Sequence, residues 1–183
     1  MFDKERIIYQ IERTRVLTLQ LIERIPHDKW FEMPMGVSHV AWNVGHIATA
    51  EYFLGLVFTR GQRENDSRFI PGNYGELFGY NSVVRPDPQV YPSPSEIIET
   101  LGAVHQQLLI EVREMTSSSL DERCLFLDGE FDHHPIFERK GGALEWIGYH
   151  EHMHMGMIGL IRRELGSDPI QYFQESREGK RFR

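Results

Sequence analysis

Residues 149–158 read Tyr-His-Glu-His-Met-His-Met-Gly-Met-Ile, and three histidines fall within five of these positions. The stretch lies inside the last of the helical patterns in the sequence. His150 and His154 are four residues apart, so a helix that rises about 1.5 Å per residue places both imidazoles on one face, about one turn apart. This spacing suits two ligands of one divalent metal, and His150-Glu151-x-x-His154 also fits the zinc-protease pattern. The rest of the sequence has to be considered to distinguish a simple metal site from a zinc-protease motif.

Four segments carry the apolar periodicity of helices, at about residues 3–25, 38–59, 93–116 and 142–165. Ser38 is the expected N-cap of the second helix. Ser93, followed by Pro94 and Glu96, is a strong start signal for the third. Gly166 is the expected end of the fourth. The buried face predicted for this last helix comprises Ala143, Ile147, His150, His154, Met157 and Ile161.

The connection over residues 60–91 is long and rich in glycine and proline. A connection of this length in a compact domain is usually a lid, a crossover between distant helices, or both. We therefore predict an all-α protein, a four-helix bundle with a long crossover between helices 2 and 3. We expect one domain over residues 1–183, with a polar tail over residues 166–183.

Composition excludes several classes of protein. The net charge of −7 argues against a nucleic-acid surface, because binding phosphates requires clustered Lys and Arg. The single cysteine, Cys124, excludes an internal disulfide and a cysteine-rich zinc site. No stretch approaches the roughly 20 apolar residues of a membrane span, and the first residues show no apolar signal region. We expect a soluble, cytoplasmic protein with no nucleic-acid or membrane partner.

A third histidine lies in the middle of an apolar face. The second helix presents Trp42, His46, Ala50, Phe53 and Val57 at helical spacing. An unpaired polar group in such a position costs about 1–3 kcal/mol. A single buried histidine is more simply explained by a hydrogen bond to a backbone carbonyl. A metal bound by His46, His150 and His154 would remove all three costs at once and leave a coordination position open.

Other polar residues are weaker candidates. His39, His105 and Glu51 are candidates for the cavity wall or for contacts that support the ligands. His152 points roughly 200° away from both its neighbours and cannot share their metal. Glu151 would be the general base of a protease, but only 29 residues remain to supply a third ligand. We therefore expect Glu151 to face solvent or to support the ligands.

The sequence resembles the DinB-like superfamily, also called YfiT-like putative metal-dependent hydrolases. The resemblance is carried by Trp-Asn-Val-Gly-His-Ile-Ala at residues 42–48 with Glu51, and by His-Glu-His-Met-His-Met-Gly at residues 150–156. The four helical patterns and the Arg-Arg-x-Leu-Gly close of the last helix extend it across essentially the whole chain.

The resemblance implies a bundle of DinB/YfiT type that holds one divalent metal ion, with the ligands on His46, His150 and His154. The ion in relatives is zinc, nickel or iron. Known activities in the family include thiol S-transferases, a mycothiol-dependent isomerase and sulfoxide synthases of thiol-histidine biosynthesis. Many relatives continue the last histidine with Arg-Gly-Gln, whereas this chain has Met155-Gly156-Met157, which leaves the substrate open.

The functional expectation is a metal-dependent hydrolase or thiol S-transferase that acts on a small molecule, with a low-molecular-weight thiol as a candidate substrate. The alternative is a non-catalytic module that binds a metal or small ligand in a stress response. By analogy with the family, a homodimer formed through the apolar linker around Trp30 and Phe31 is a further expectation. His133 and His134 are expected to be solvated in a loop.

Overall fold

The computed structural model describes residues 2–125 and 135–168. Within these ranges the chain is helical, and its extended pairing is limited to one antiparallel bridge between Arg123 and Arg139. The all-α prediction is therefore confirmed. The predictions for His133, His134 and most of the polar tail fall outside the described residues.

The described chain contains five α-helices that are labelled here in order. They are α1 (Lys4–Ile22), α2 (Val40–Glu51), α3 (Tyr74–Phe78), α4 (Pro94–Glu114) and α5 (Lys140–Glu164). α2 continues directly into a π-helical segment, Tyr52–Val57, and a last α-helical turn, Phe58–Arg60. Short 3₁₀ turns lie at His27–Lys29, Glu64–Arg68, Pro88–Val90 and Ser117–Asp121. None of the helices in these ranges combines the length and apolar character that a membrane crossing requires.

Local signals set the ends of the helices. The start of α4 is the predicted capping box: Ser93 Oγ accepts from the Glu96 backbone N–H, and the Glu96 carboxylate accepts from the Ser93 backbone N–H at 2.8 Å. The predicted cap of α2 is wrong by one residue. His39, not Ser38, caps this helix, because its ring Nδ1 accepts from the Trp42 backbone N–H at 3.0 Å.

Interhelical contacts give the directions of the four long helices. α1 and α5 run parallel, since Gln10 lies against Gly148 and Arg15 pairs with Glu151 further along both helices. α2 runs antiparallel to α5, because the earlier residue of α2, Asn43, contacts the later histidine of α5, His154. α2 and α4 run parallel, so the segment between them has to return along the length of the molecule.

The buried face of α5 differs from the predicted one. Met155 is 6% exposed, whereas Met157, which the sequence pattern assigns to the buried face, is only partly buried. The pattern assumes one buried face, but α5 packs against both α1 and α2, so its buried surface is wider. Glu151, Met155, Ile158 and Arg162 are buried although the predicted face leaves them out, and Glu151 contacts Arg15 of α1.

The apolar linker before α2 packs inside the chain. Trp30 has no exposed surface, and its Nε1–H donates to the Ile25 carbonyl at 3.2 Å. Phe31 is half-buried and stacks on Tyr91. The Trp30 side chain therefore cannot supply the surface that the dimer hypothesis assigns to it.

Asp66 anchors the start of the long connection to the end of the second long helix. Its carboxylate accepts hydrogen bonds from the Arg60 guanidinium at 2.9 Å, from the Tyr52 hydroxyl at 3.0 Å and from the Arg63 backbone N–H at 3.0 Å. Burial alone would raise the pKa of Asp66, but these donors, Arg60 first, lower it below the ordinary value. The folded state therefore favours the ionised carboxylate.

This pKa predicts an acid-dependent contribution to stability. Since the folded pKa lies below the unfolded value, the stabilisation is fully present above about pH 4 and is lost as the pH falls through the folded pKa. We expect Asp66→Asn to lower the free energy of unfolding by about 1.5–3 kcal/mol at pH 7, and by less at pH 3. Urea denaturation across this pH range measures both values. The exposed Asp28→Asn serves as control, and a deficit in Asp66→Asn that is constant with pH would contradict the assignment.

Candidate metal centre

Three histidines from two antiparallel helices converge in the interior. α2 supplies His46, and α5 supplies His150 and His154 one turn apart. One ligating atom from each ring lies within 4.8 Å of the other two. The Nε2 atoms of His46 and His150 are 3.2 Å apart, and the three ring centroids are separated by 4.6–5.0 Å. The structure thus brings together the three histidines that the sequence analysis singled out.

The ring of His46 is oriented by a backbone carbonyl. Its Nδ1 lies 2.6 Å from the Phe78 oxygen, and because a carbonyl can only accept, Nδ1 carries the proton. The Nε2 lone pair is thereby directed into the cluster. This contact depends on Gly45, since a Cβ at that position would overlap the Phe78 ring. The glycine lets α3 lie directly on α2.

The ring of His154 is oriented in the same way by Asn43. The Asn43 amide nitrogen donates to Ser38 Oγ at 2.8 Å and to the His39 carbonyl at 2.9 Å, which fixes the orientation of the amide. Its Oδ1 then accepts from His154 Nδ1 at 2.9 Å, leaving the His154 Nε2 lone pair free. The sequence analysis missed Asn43, although its position three residues before His46 was a usable signal.

All three imidazoles are neutral at physiological pH. Burial lowers the pKa of His46 below its ordinary value. Burial and the neighbouring His46 lower the pKa of His150 to about 4, and burial with both neighbours lowers that of His154 to about 3. Neutral imidazole is the form that binds metals.

The geometry of the donors fits a small divalent ion. Zinc–nitrogen bonds of about 2.0–2.1 Å in a tetrahedral site put neighbouring ligand atoms about 3.3 Å apart. The His46–His150 separation of 3.2 Å already meets this value. In addition, a hydrogen-bonded Nδ1–H opposite the ligating nitrogen is the usual arrangement of metal-binding histidines. His46, His150 and His154 could therefore hold an ion with at least one position open.

An aromatic side chain covers one side of the cluster. The Trp42 indole stacks on His46 with ring centroids 4.7 Å apart and planes 12° apart, and it is tilted against His154. Its Nε1–H donates to Ser82 Oγ at 2.9 Å, in the long connection. Trp42 thus fastens the connection beside the histidines.

A buried ionic network joins all four long helices next to the cluster. Arg15 of α1 donates to Glu51 of α2 at 2.8 Å, to Glu151 of α5 at 2.9 Å and to the Leu101 carbonyl of α4 at 3.1 Å. His105 Nδ1 donates to the other Glu51 oxygen at 2.8 Å. Burial opposes the charge of Arg15, but the two carboxylates raise its pKa above the ordinary value. The sequence analysis missed Arg15.

The ionic network fixes the orientation of the two acidic candidates, Glu51 and Glu151. Burial would raise the pKa of Glu51, but Arg15 and His105 lower it below its ordinary value, so it stays ionised. Glu151 is 1% exposed and bound to Arg15, so the first of its two expected positions, facing solvent, is wrong. A carboxylate bound in this way is not available as the general base of a zinc protease.

The other histidines lie away from the ligating atoms. Both ring nitrogens of His39 are occupied, by the Trp42 N–H and the Arg85 carbonyl, and burial lowers its pKa to about 4. His152 is exposed, and its Nδ1 donates to the Gly148 carbonyl at 2.7 Å. His39 therefore holds Arg85 of the long connection against the start of α2, and His152 lies outside the cluster.

The network generates a prediction about stability. Arg15→Met would leave two ionised carboxylates buried without a cation, so we expect a loss of about 3–5 kcal/mol in the free energy of unfolding. The triple variant Arg15→Met, Glu51→Leu, Glu151→Leu removes all three charges and should regain most of it. Chemical denaturation checks both. The exposed Arg13→Met is the matched control, and a triple variant as unstable as the single one would contradict this account.

Comparison with known proteins identifies the family to which this chain belongs. No curated protein sequence matches the chain significantly. The sequence model of the DinB superfamily matches residues 10–158, which include all three clustered histidines, Arg15, Asn43 and both buried glutamates. The chain therefore belongs to the DinB superfamily.

Proposed function

We propose that this chain is a metal-dependent enzyme in which His46, His150 and His154 hold one divalent ion, and that it transfers a small thiol to an electrophilic substrate. The observation that carries the proposal is the convergence of three neutral imidazoles, two of them fixed with Nδ1 protonated and Nε2 directed inward. Zinc, nickel and iron all suit a site of three histidines. We further propose that the four long helices form the family's four-helix bundle with a crossover between α2 and α4.

A bound divalent ion would shift the pKa of a coordinated water or thiol toward neutrality. Thiol transfer requires fewer catalytic side chains around the metal than hydrolysis does. Hydrolysis usually uses a general base, and the nearby carboxylates Glu51 and Glu151 are both bound to Arg15. A thiol has an ordinary pKa of about 8.5 and needs little further activation.

The reacting thiol would be a small-molecule co-substrate and not a side chain of this protein. Cys124 is the single cysteine of the chain, it is buried, and burial raises the pKa of its thiol to about 11. Such a thiol stays protonated at neutral pH and is a poor nucleophile. A low-molecular-weight cellular thiol is therefore the proposed partner of the open coordination position.

A non-catalytic binding module is the second candidate. Met155, Gly156 and Met157 follow the last ligand, where polar residues would be expected to contact a substrate. The commitment of both glutamates to Arg15 supports this alternative as well, because it leaves little acid–base chemistry beside the histidines.

Metal analysis of protein purified without a histidine tag tests the site. We expect about one equivalent of a divalent metal in the wild type and a large loss in His150→Ala. His152→Ala, which removes a neighbouring histidine that faces away, should keep the metal. A wild type with a metal content as low as that of His150→Ala would refute both metal-based functions.

The hydrogen bond from His154 to Asn43 should contribute to affinity. We expect Asn43→Leu to weaken metal binding by about 10–100-fold, since the ring loses the acceptor that fixes its orientation. Competition with a chromophoric chelator measures this change. Ser38→Ala, which removes another partner of the same amide but keeps Oδ1, should change the affinity much less. Equal effects of the two substitutions would contradict the orienting role.

A substrate screen separates the two candidate functions. The metal-loaded protein is incubated with cellular thiols and an electrophilic acceptor, and in parallel with ester and amide substrates. We expect thiol consumption that disappears in His150→Ala and persists in His152→Ala. Hydrolysis without thiol transfer would redirect the proposal to a hydrolase, and no turnover in a fully loaded protein would favour the binding module.

A further inference from the structure

A surface cavity of about 470 Å³ lies between the start of the long connection and the outer face of α4. The residues of α4 that line it have the i, i+3, i+4, i+7 spacing of one helix face, and they are Ala103, Gln106, Gln107 and Ile110. His105, which donates to Glu51, lies at least roughly 100° around the helix axis from each of them. The cavity is therefore on the side of α4 that faces away from the buried network and the histidine cluster.

The two carboxylates that line this cavity are already bound to an arginine. Arg60 donates from Nε to Glu111 at 2.8 Å and from its two Nη atoms to both oxygens of Asp66 at 2.9 Å. Glu111 also accepts from the Gln107 amide at 2.8 Å, and Asp66 accepts from the Arg63 backbone N–H at 3.0 Å. The acidic charge of the lining is therefore compensated within the protein.

Two further arginines line the cavity and reach solvent. The Arg63 side chain is 58% exposed, and its Nη1 is 3.8 Å from Glu111, which is beyond hydrogen-bond distance. Arg68 is exposed at the end of the 3₁₀ turn Glu64–Arg68. The lining thus combines three guanidinium groups with two carboxylates, in a chain whose net charge is −7. This charge favours an anionic ligand.

The cavity also has apolar walls. Ile110 is 52% exposed, although it lines the cavity, and the half-buried Phe69 lines it from the long connection. Covering such side chains is favourable, at about 25 cal/mol for each Å² of apolar surface. The volume lies within the range of about 300–1,000 Å³ that is usual for small-molecule sites. Size and walls therefore suit a ligand with an apolar body and not a bare inorganic ion.

We propose that this cavity binds a small organic anion, a molecule with an apolar body and a carboxylate or phosphate group. The planar guanidinium groups of Arg63 and Arg68 match the oxygens of such a group, and Phe69 and Ile110 contact the apolar body. The hydrogen bonds of Asp66 hold the turn that carries both arginines before the ligand arrives, which lowers the cost of ordering it. The site is separate from the proposed metal centre.

NMR titration of the full chain tests the proposal. The backbone amides are followed while benzoate, phenyl phosphate, inorganic phosphate or neutral benzamide is added at constant low ionic strength. We expect benzoate or phenyl phosphate to cause saturable shifts in residues 63–69 and 103–111, with a dissociation constant on the order of a few millimolar. Benzamide and inorganic phosphate should each bind at least about tenfold more weakly. The stronger of the two organic anions identifies the preferred head group.

Substitution of the exposed arginines assigns the binding to this cavity. Arg63→Gln and Arg68→Gln should each weaken the binding about tenfold, because each removes a charge-assisted donor. Since both side chains are exposed, the Tm should change little. Arg13→Gln, which removes an exposed arginine on α1, should keep the wild-type affinity. His150→Ala should keep it as well, so this site can hold or fail independently of the proposed function.

A matched pair of substitutions tests the charge of the ligand at the apolar wall. Ile110→Asp should weaken the binding by at least about tenfold more than Ile110→Asn, since only the former adds a negative charge of the same size and shape. The absence of saturable shifts with both organic anions would overturn the proposal. Equal binding of benzamide or inorganic phosphate, unchanged binding after loss of both Arg63 and Arg68, or loss of binding in His150→Ala would also overturn it.

Discussion

The ion pairs of Arg15 are the interaction on which the arrangement of the helices depends. One guanidinium reaches Glu51, Glu151 and the Leu101 carbonyl, so a single side chain of α1 contacts each of the other three long helices. A buried charge tolerates few geometries, because every donor has to meet an acceptor. Rotation of α5 about its axis would break the Glu151 contact and turn the preceding residue, His150, out of the cluster.

The candidate metal centre therefore has two layers of support with different chemistry. The inner layer consists of neutral acceptors, the Phe78 carbonyl and Asn43 Oδ1, which orient two rings without adding charge. The outer layer is ionic and sets the rotation of the helices. Its two carboxylates exceed its one guanidinium, which favours a cation nearby. The inner layer thus orients two of the rings directly, and the outer layer positions the helices that carry all three.

Much of the fold and of the candidate site could be predicted from local patterns in the sequence. The four-residue spacing of His150 and His154, the isolated polar position of His46 and the capping box at Ser93 are all short-range signals. The structure brings the three histidines together and forms the capping box. Arg15 was overlooked because an arginine on a helix is normally assumed to reach solvent, yet it follows Ile11 by one turn on the buried face. The burial of Met155 also needed tertiary information, because sequence periodicity does not show that α5 has two neighbours.

The hydrogen bond from His46 to the Phe78 carbonyl has a consequence for how this protein is probed by mutagenesis. Its acceptor is a main-chain oxygen, so no substitution of the Phe78 side chain removes that atom. Alanine scanning would not reveal this hydrogen bond, because an alanine keeps the main-chain oxygen. A substitution that displaces α3 would weaken the bond, and the effect would then be assigned to the substituted side chain. The vulnerable position is instead Gly45, where adding one methyl group would push the short helix outward. A residue with no side chain thus governs the orientation of a candidate ligand one position along the chain, and sequence comparisons that track only functional groups would overlook it.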